Sequence, residues 1–348
     1  MVKAVKLMKV DERKEIECVR KAFEHLPNLR KYEVSEKIRN SFTVAIEMSD
    51  GYRFTIQVHA MQNAYPSAVM KLLSQNKEND VTRVLVAPYI SDRTASLCQE
   101  NGIGYFDYAG NCYFSGHSIY LSERGHKNPE PERRSFVSVF ETSSIVSSMI
   151  LRELFADTKK VWKQKYLSEK VGCSIGQVSK VMGFLIKNAW ADKSSDGYFL
   201  TDPASLLLEW SKVYGKEEKT AYSFYSLESP AAIERRFQSL KETKNIDYCL
   251  SGISGGVRYA PIVRYNKVHL YLKAADIQEA EVFMEMKEVS SGANIIIFPL
   301  EKEVYIRDSR TVDGARVVSP VQVYLDCMRI AGRGEEIAAA VLHKEILK

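Results

Sequence analysis

Lysine side chains crowd one stretch in the middle of this 348-residue chain, and carboxylates are nearly missing from it. From Thr158 to Asn188 there is a single acid, Glu169, and there are seven lysines, at positions 159, 160, 163, 165, 170, 180 and 187. From Lys170 through Ala191 there is no carboxylate at all. Ammonium groups without competing carboxylates attract phosphodiesters and avoid repelling them. The composition therefore indicates a surface for duplex DNA.

The residues within this stretch predict two helices joined by a tight turn. A short helix is expected to end at Val171, where Gly172 supplies a residue that accepts positive φ. Ser174 then caps a second helix by accepting a backbone N–H from its first turn. Spacings of three and four place one apolar face of that helix inward, formed by Val178, Val181, Met182 and Leu185.

Elements on either side complete a winged helix-turn-helix over residues 136–212. A helix from about 143 to 155 precedes the pair, and Trp162 in the linking turn is expected in the core. Trp190-Ala191 and residues 198–201 read as two short strands around the turn residues 193–197.

The open side of the second helix supplies the candidate contacts with DNA. Gln177 and Lys180 would face base edges or phosphates, and Ser174 would add a phosphate contact at the helix N-terminus. Backbone phosphates would be contacted by Lys163, Lys165, Lys187 and Lys193. Two alternatives stay open, because Gln177 and Lys180 fit ordinary solvated positions, and because the same pattern serves protein–protein modules.

The flanking segments predict a multidomain chain of α/β and α+β class. Residues 1–122 alternate helices and strands around a hairpin at Ser49-Asp50-Gly51, as in a restriction-endonuclease-like mixed α/β domain. Residues 123–135 have two prolines and no apolar run, which predicts a linker. Residues 218–348 predict a nucleotidyltransferase-like α+β domain. Its strands are expected at 247–250, 261–264, 267–272, 294–299 and 303–307.

Each flanking domain raises an enzymatic alternative that its own residues weaken. A restriction-endonuclease-like site holds Mg²⁺ with an acid and a Glu-x-Lys strand. Here that strand reads Gln57-Val58-His59, and Glu47 is the acid that remains. Glu47, Gln57 and His59 are therefore weak candidates for the site of a Mg²⁺-dependent nuclease.

A nucleotidyltransferase needs paired acids on the strand that follows its glycine-rich turn. The turn is present at 251–256, but the strand carries His269 and Tyr271. We therefore expect no enzyme activity.

Bulk composition sets further limits. The net charge of +5 suits a nucleic-acid partner. The six cysteines and six histidines are dispersed without metal-ligand spacing, so we expect no metal, no cofactor and reduced thiols. No apolar run spans a bilayer or resembles a secretion signal, which predicts a cytoplasmic protein without a membrane partner.

Two blocks of sequence resemble a known family. Residues 84–91 with 97–111, and residues 318–326 with 332–336, look like the signature of AbiEi-type transcriptional regulators, the antitoxins of type IV toxin–antitoxin systems. The helix-turn-helix region fits this resemblance, although it is generic by itself. The family pattern carries Glu-x-Lys where this chain has Gln57-Val58-His59. The resemblance implies double-stranded DNA as a partner, autoregulation and a cognate toxin protein. A winged helix also favours a homodimer, or two copies on adjacent half-sites.

Overall fold

The computed structural model describes residues 10–24, 26, 28–35, 40–75, 81–128, 139–140, 145–214 and 221–348. The chain divides into two compact units, residues 1–135 with 187–189, and residues 136–186 with 190–348. Part of the expected linker (129–135) lies outside the described residues, as does the start of the expected winged helix (136–138 and 141–144). The predicted boundaries at 122, 135, 212 and 218 stay predictions.

The first unit contains a seven-stranded mixed sheet whose strands are neighbours in chain order. The central strands β3, β4 and β5 are parallel, and all other neighbours are antiparallel. The strands are β1 (Leu29–Val34), β2 (Ser41–Met48), β3 (Arg53–Ala60), β4 (Thr82–Ala87), β5 (Gly104–Asp107), β6 (Cys112–Gly116) and β7 (Ile119–Glu123). The prediction of a mixed α/β sheet here is confirmed, whereas sequence analysis missed the outer strands β1 and β7.

Two hydrophobic clusters cover the two faces of this sheet. Helix α1 (Val10–Glu24) packs Val19 and Phe23 against alternate residues of β2 and β3. Helices α2 (Pro66–Leu73) and α3 (Asp92–Glu100) cover the other face around Leu85. The period of two in β2 and β3 thus places Phe42 and its alternate neighbours in the core, as the hairpin pattern predicted.

The second unit also contains a seven-stranded mixed sheet, in the order β13-β10-β14-β12-β11-β16-β15. Its strands are β10 (Tyr222–Tyr225), β11 (Tyr248–Leu250), β12 (Val268–Leu272), β13 (Lys287–Glu288), β14 (Ile295–Pro299), β15 (Arg310–Val312) and β16 (Ala315–Val317). A separate two-stranded sheet joins β8 (Ala191–Lys193) to β9 (Tyr198–Leu200).

Nine α-helices lie in the described part of this second unit. They are α4 (Ile145–Ala156), α5 (Gln164–Val171), α6 (Ile175–Lys187), α7 (Pro203–Tyr214), α8 (Pro230–Lys244), α9 (Gly252–Tyr259), α10 (Ile277–Met284), α11 (Pro320–Cys327) and α12 (Arg333–Val341). Their buried side chains and those of the large sheet belong to one continuous hydrophobic cluster from Val139 to Ile346.

Two of the expected strands are wrong. Residues 261–264 are not a strand, because β12 is already paired on both sides, with β11 and β14. Residues 303–307 form a short 3-10 turn over Glu303–Tyr305. Val304 and Tyr305 are both buried there, and the Tyr305 ring packs against those of Tyr214 and Tyr271. Among the described residues, no helix is long and apolar enough to cross a membrane.

Candidate nucleic-acid interface

The two helices predicted from the lysine-rich stretch are confirmed. Helix α5 ends at Val171, and the next residue, Gly172, caps it in the left-handed conformation at φ 73°. Helix α6 buries the apolar face that its sequence spacing predicted, formed by Val178, Val181, Met182 and Leu185. The turn and the inward stripe together leave the opposite side of α6 toward solvent.

A reciprocal pair of hydrogen bonds fixes the beginning of α6. The Ser174 hydroxyl accepts from the backbone N–H of Gln177 at 3.2 Å, and the Gln177 side-chain oxygen accepts from the backbone N–H of Ser174 at 3.0 Å. The Ser174 hydroxyl also lies 3.2 Å from that oxygen. This arrangement is a capping box, and its signature, Ser-x-x-Gln, was readable in the sequence but missed. The Gln177 oxygen, expected to face DNA, is therefore already occupied.

Gln164, which sequence analysis did not single out, joins the N-termini of the two helices. Its side-chain amide donates to the backbone carbonyl of Ile175 at 3.0 Å and to the hydroxyl of Ser179. Gln164 is the first residue of α5, directly after its N-cap, Lys163. The start of α5 consequently lies against the first two turns of α6.

The hairpin after α6 has the order of elements expected for a wing. Its strand β9 also pairs with Trp162, through hydrogen bonds of 2.7 and 3.0 Å between the backbones of Trp162 and Tyr198. Gly197 makes this approach possible, because a Cβ there would lie 2.5 Å from the Trp162 carbonyl oxygen. The Lys193 ammonium lies 5.5 Å from the centre of the Tyr198 ring, so it stays close to the hairpin.

The candidate DNA-binding residues are only partly brought together. Because Gln164 joins the two helix starts, Lys163 and Lys165 lie near the Ser174–Gln177 cap. Lys180 follows one helical turn later along α6. Lys187 ends α6, about 20 Å from Ser174 at 1.5 Å per residue. Lys193 lies in the hairpin. The DNA contacts of these residues stay predictions.

The positive charge of this surface is concentrated on the helices. The ammonium groups of Lys163, Lys165 and Lys180 belong to exposed residues. Lys165 is 3.9 Å from Glu169, both side chains being mostly exposed, so this ion pair neutralises little. The hairpin carries two acids, Asp192 and Asp196, beside Lys193. We therefore expect α5 and α6 to attract phosphates more strongly than the hairpin does.

The candidate nuclease residues of the first unit do not assemble. Glu47 is held by two guanidinium groups, those of Arg30 and Arg53, each at 3.0 Å. In the β2–β3 register Glu47 lies opposite Arg53, whereas Ser41 lies opposite His59. Six residues of strand thus separate Glu47 from the level of His59, a distance of about 20 Å.

His59 is built into the sheet. Its Nδ1 lies 3.1 Å from the Ser41 hydroxyl, and its buried Nε2 has no hydrogen-bond partner in the described part of the chain. Burial lowers the pKa of His59, and the nearby Arg83 lowers it further. Gln57 points to the same face, because it lies two residues before His59 in β3. His59 is thus partly engaged by a neighbouring strand, on the same face of the sheet as Gln57.

The strand expected to carry nucleotidyltransferase acids is buried. Every residue of β12 is buried, and burial lowers the pKa of His269 to about 4. Tyr271, at one of the positions where a nucleotidyltransferase would have an acid, donates a hydrogen bond to one carboxylate oxygen of Asp326 at 2.9 Å. Across the described ranges, no group of three or more His, Cys, Asp or Glu side chains is placed to hold a metal ion.

Comparison with known proteins gives one informative match. No curated protein matches this chain. A solved structure titled "Structure of EndoMS in apo form" is 18% identical, but its TM-score of 0.18 supports no conclusion about the fold. That match covers 30% of this chain and 47% of the other, about half of its length. Residues 200–347 match the family described as "Transcriptional regulator, AbiEi antitoxin, Type IV TA system", which confirms the resemblance over that region.

Proposed function

We propose that this protein is a sequence-specific regulator that binds double-stranded DNA and represses its own operon as a type IV antitoxin does. Residues 145–200 would act as a winged helix-turn-helix, with α6 in the major groove and the hairpin β8–β9 beside it. A cytoplasmic location and a cognate toxin partner belong to this proposal. The match of residues 200–347 to a family of transcriptional regulators supports it.

The observation that carries this proposal is the positive charge of α6 and its surroundings. No carboxylate occurs from Lys170 through Ala191, although α6 has exposed residues in its first two turns and at Lys187. Packing demands apolar residues on the buried side only and leaves the sign of the exposed side open. A helix that serves as a protein-contact module has no reason to exclude acids so completely, whereas a helix that enters a phosphate-lined groove does.

The cap at the start of α6 supports the same function. The capping box holds the first turn rigid before any partner arrives, so little conformational entropy is lost on binding. Lys163 and Lys165 then lie on the side of α6 where the flanking phosphates would run. A single such surface contacts few base pairs, so we further propose that the protein binds as a homodimer or as two copies on adjacent half-sites.

We also propose that the protein is not an enzyme. The ion pairs of Glu47 with Arg30 and Arg53 support this view, because they occupy the carboxylate that a nuclease would need for Mg²⁺. Incubation of supercoiled plasmid with the protein and Mg²⁺ or Mn²⁺ should give no nicked product. Divalent-dependent nicking that Glu47→Gln abolishes would restore the nuclease alternative.

The direct test is binding to the DNA upstream of the protein's own gene. Fluorescence anisotropy should be measured with that duplex and with a scrambled duplex of equal composition, at several salt concentrations. Wild type, Lys163→Ala and Lys180→Ala should be compared with Lys344→Ala, which removes an exposed lysine at the far end of the chain.

We expect wild type and Lys344→Ala to prefer the native duplex and the other two variants to bind more weakly. Equal weak binding of all four proteins to both duplexes would contradict the proposed function. It would favour a protein-contact role for α4–α6, and co-purification with the product of the neighbouring gene would then test that role.

A further inference from the structure

An isoleucine stands exposed at the beginning of α6. Ile175 is 52% exposed, and it is the one large apolar side chain exposed among the thirteen residues of α6, all of which the structure describes. Its neighbours Ser174, Gly176 and Gln177 are exposed as well. A β-branched residue has modest helix propensity and gains little from packing at such a position. Neither helix formation nor core packing therefore explains why this position is an isoleucine.

The backbone of Ile175 is held in place from two sides. The capping box between Ser174 and Gln177 fixes the turn to which Ile175 belongs. The Gln164 amide donates to the Ile175 carbonyl at 3.0 Å. The apolar side chain is therefore presented at a defined position and in a defined direction, as recognition of one chemical group requires.

The capping box also limits what Gln177 can do. A glutamine that reads adenine accepts with its oxygen and donates with its nitrogen at the same time. The Gln177 oxygen already accepts from both the backbone N–H and the hydroxyl of Ser174, so both of its lone pairs are engaged and such a contact would require part of the cap to break. The first turn of α6 consequently offers an apolar group more readily than a bidentate amide.

We propose that Ile175 determines sequence specificity by packing against the C5-methyl group of a thymine in the major groove. That methyl is the apolar group that the major groove displays, and it distinguishes an A·T pair from the other pairs. The inference rests on the proposed function, because it needs α6 to lie in the groove. The basic and acid-free surroundings of Ile175 bring DNA close, and Ile175 then discriminates among sequences.

The test combines removal of the thymine methyl group from the DNA with truncation of the Ile175 side chain in the protein. Thirty-base-pair duplexes that tile the region upstream of the gene first identify the tightest site for the full-length protein. Each thymine of that duplex is then replaced in turn by deoxyuridine, which lacks only the C5-methyl. Affinities are measured for wild type, Ile175→Ala, Ile175→Val and Leu227→Ala, the last being an exposed apolar residue outside α4–α6.

At one thymine per half-site, we expect deoxyuridine to weaken wild type and Leu227→Ala about fourfold, the effect of one buried methyl. Ile175→Ala should bind the unmodified site more weakly by a similar factor. At that thymine alone, deoxyuridine should no longer change the affinity of Ile175→Ala. Ile175→Val should keep part of the response. Circular dichroism and thermal melting verify that each variant is folded.

The outcomes separate this inference from the function on which it rests. If some tile binds specifically but no deoxyuridine position affects wild type, or Ile175→Ala responds as wild type does, Ile175 reads no methyl and the inference fails alone. If no tile binds more tightly than scrambled DNA, the proposed function fails and this inference fails with it.

Discussion

Arg152 of α4 donates a hydrogen bond to the side-chain oxygen of Gln322 in α11, and both residues are buried. The Gln322 amide donates in turn to Asp326 at 2.9 Å and to the hydroxyl of Tyr214 at 2.7 Å. Asp326 also accepts from Ser251 at 2.6 Å. This network of a buried cation, an amide and a buried carboxylate thus connects α4 to the region that matches the regulator family.

Removal of Arg152 should destabilise this whole unit. Arg152→Met leaves the Asp326 carboxylate buried without its cation, which costs on the order of 3 kcal/mol in the free energy of unfolding. Urea unfolding followed by tryptophan fluorescence measures it, since Trp210 lies 5.5 Å from the Arg152 guanidinium. Arg264→Met, at an exposed position, should change stability by less than about 0.5 kcal/mol.

A double mutant tests whether the charges of Arg152 and Asp326 depend on each other. Asp326→Asn in the Arg152→Met background should recover part of the lost stability, because it removes the unpaired buried charge. If both changes simply add, Arg152 and Asp326 do not interact and the network is merely a set of separate hydrogen bonds.

The helices of the candidate interface could be predicted from local sequence patterns. The pairing of distant segments could not. The spacing of Val178 and Leu185 fixes which side of α6 is buried, whatever else the chain does. In contrast, β10 and β13 are short and pair with segments far along the chain, so their neighbouring residues do not indicate which strand each one pairs with. Arg152 shows the same limit, because its partner Gln322 lies 170 residues away. The nuclease candidates do not meet because the β2–β3 register separates Glu47 from His59. The turn at residues 49–51 already implies this register, and sequence analysis did not use it.

Acid should destabilise the second unit through His269. Its pKa falls to about 4 in the folded protein because burial disfavours the charged ring, and its Nδ1 has no partner among the described residues. The unfolded chain therefore binds a proton more readily, so stability is complete above pH 6.5 and is lost as the pH falls from 6.5 toward 4. Between pH 7 and 5 the loss should be about 2 kcal/mol.

Substitution by a neutral ring isolates that contribution. His269→Phe preserves the stacking on Phe298, whose ring centre lies 6.2 Å away, and cannot be protonated. Unfolding in urea at pH 7 and pH 5 should show a smaller pH dependence for this variant than for wild type. An unchanged dependence would mean that other groups titrate in this range.

Gln177 separates helix capping from DNA binding. Gln177→Glu keeps the capping box, because glutamate also accepts from the Ser174 N–H, and the new charge favours the helix N-terminus. The same charge repels phosphates, so affinity for DNA should fall on the order of tenfold while the melting temperature stays equal or rises. Gln177→Ala should do the reverse, losing about 1 kcal/mol of stability and little affinity. Similar losses of affinity in both variants would mean that the Gln177 amide itself reads DNA.

Salt dependence should reveal which lysines contact phosphates. Each phosphate contact contributes about 0.9 to the slope of log K against log salt. Lys163→Ala and Lys165→Ala should therefore each lower the slope by about 1 and weaken specific and scrambled duplexes alike. Lys187→Ala should have a smaller effect if DNA lies at the start of α6, about 20 Å away. An equal effect of all three would place the duplex along the whole helix.

Gly183 offers a test of how closely α6 approaches its partner. A Cβ at Gly183 would meet no atom within 4 Å, so packing in the chain does not require a glycine there. Glycine inside a helix costs about 1 kcal/mol relative to alanine, and Gly183→Ala should therefore raise stability by about that amount. Gly183 is half-buried and lies three residues after Lys180 and four before Lys187, on the same side of α6 as these two lysines. If this side enters the major groove, the added methyl should weaken DNA binding even though the protein becomes more stable. A gain in stability with unchanged affinity would show that DNA contacts only the first two turns of the helix.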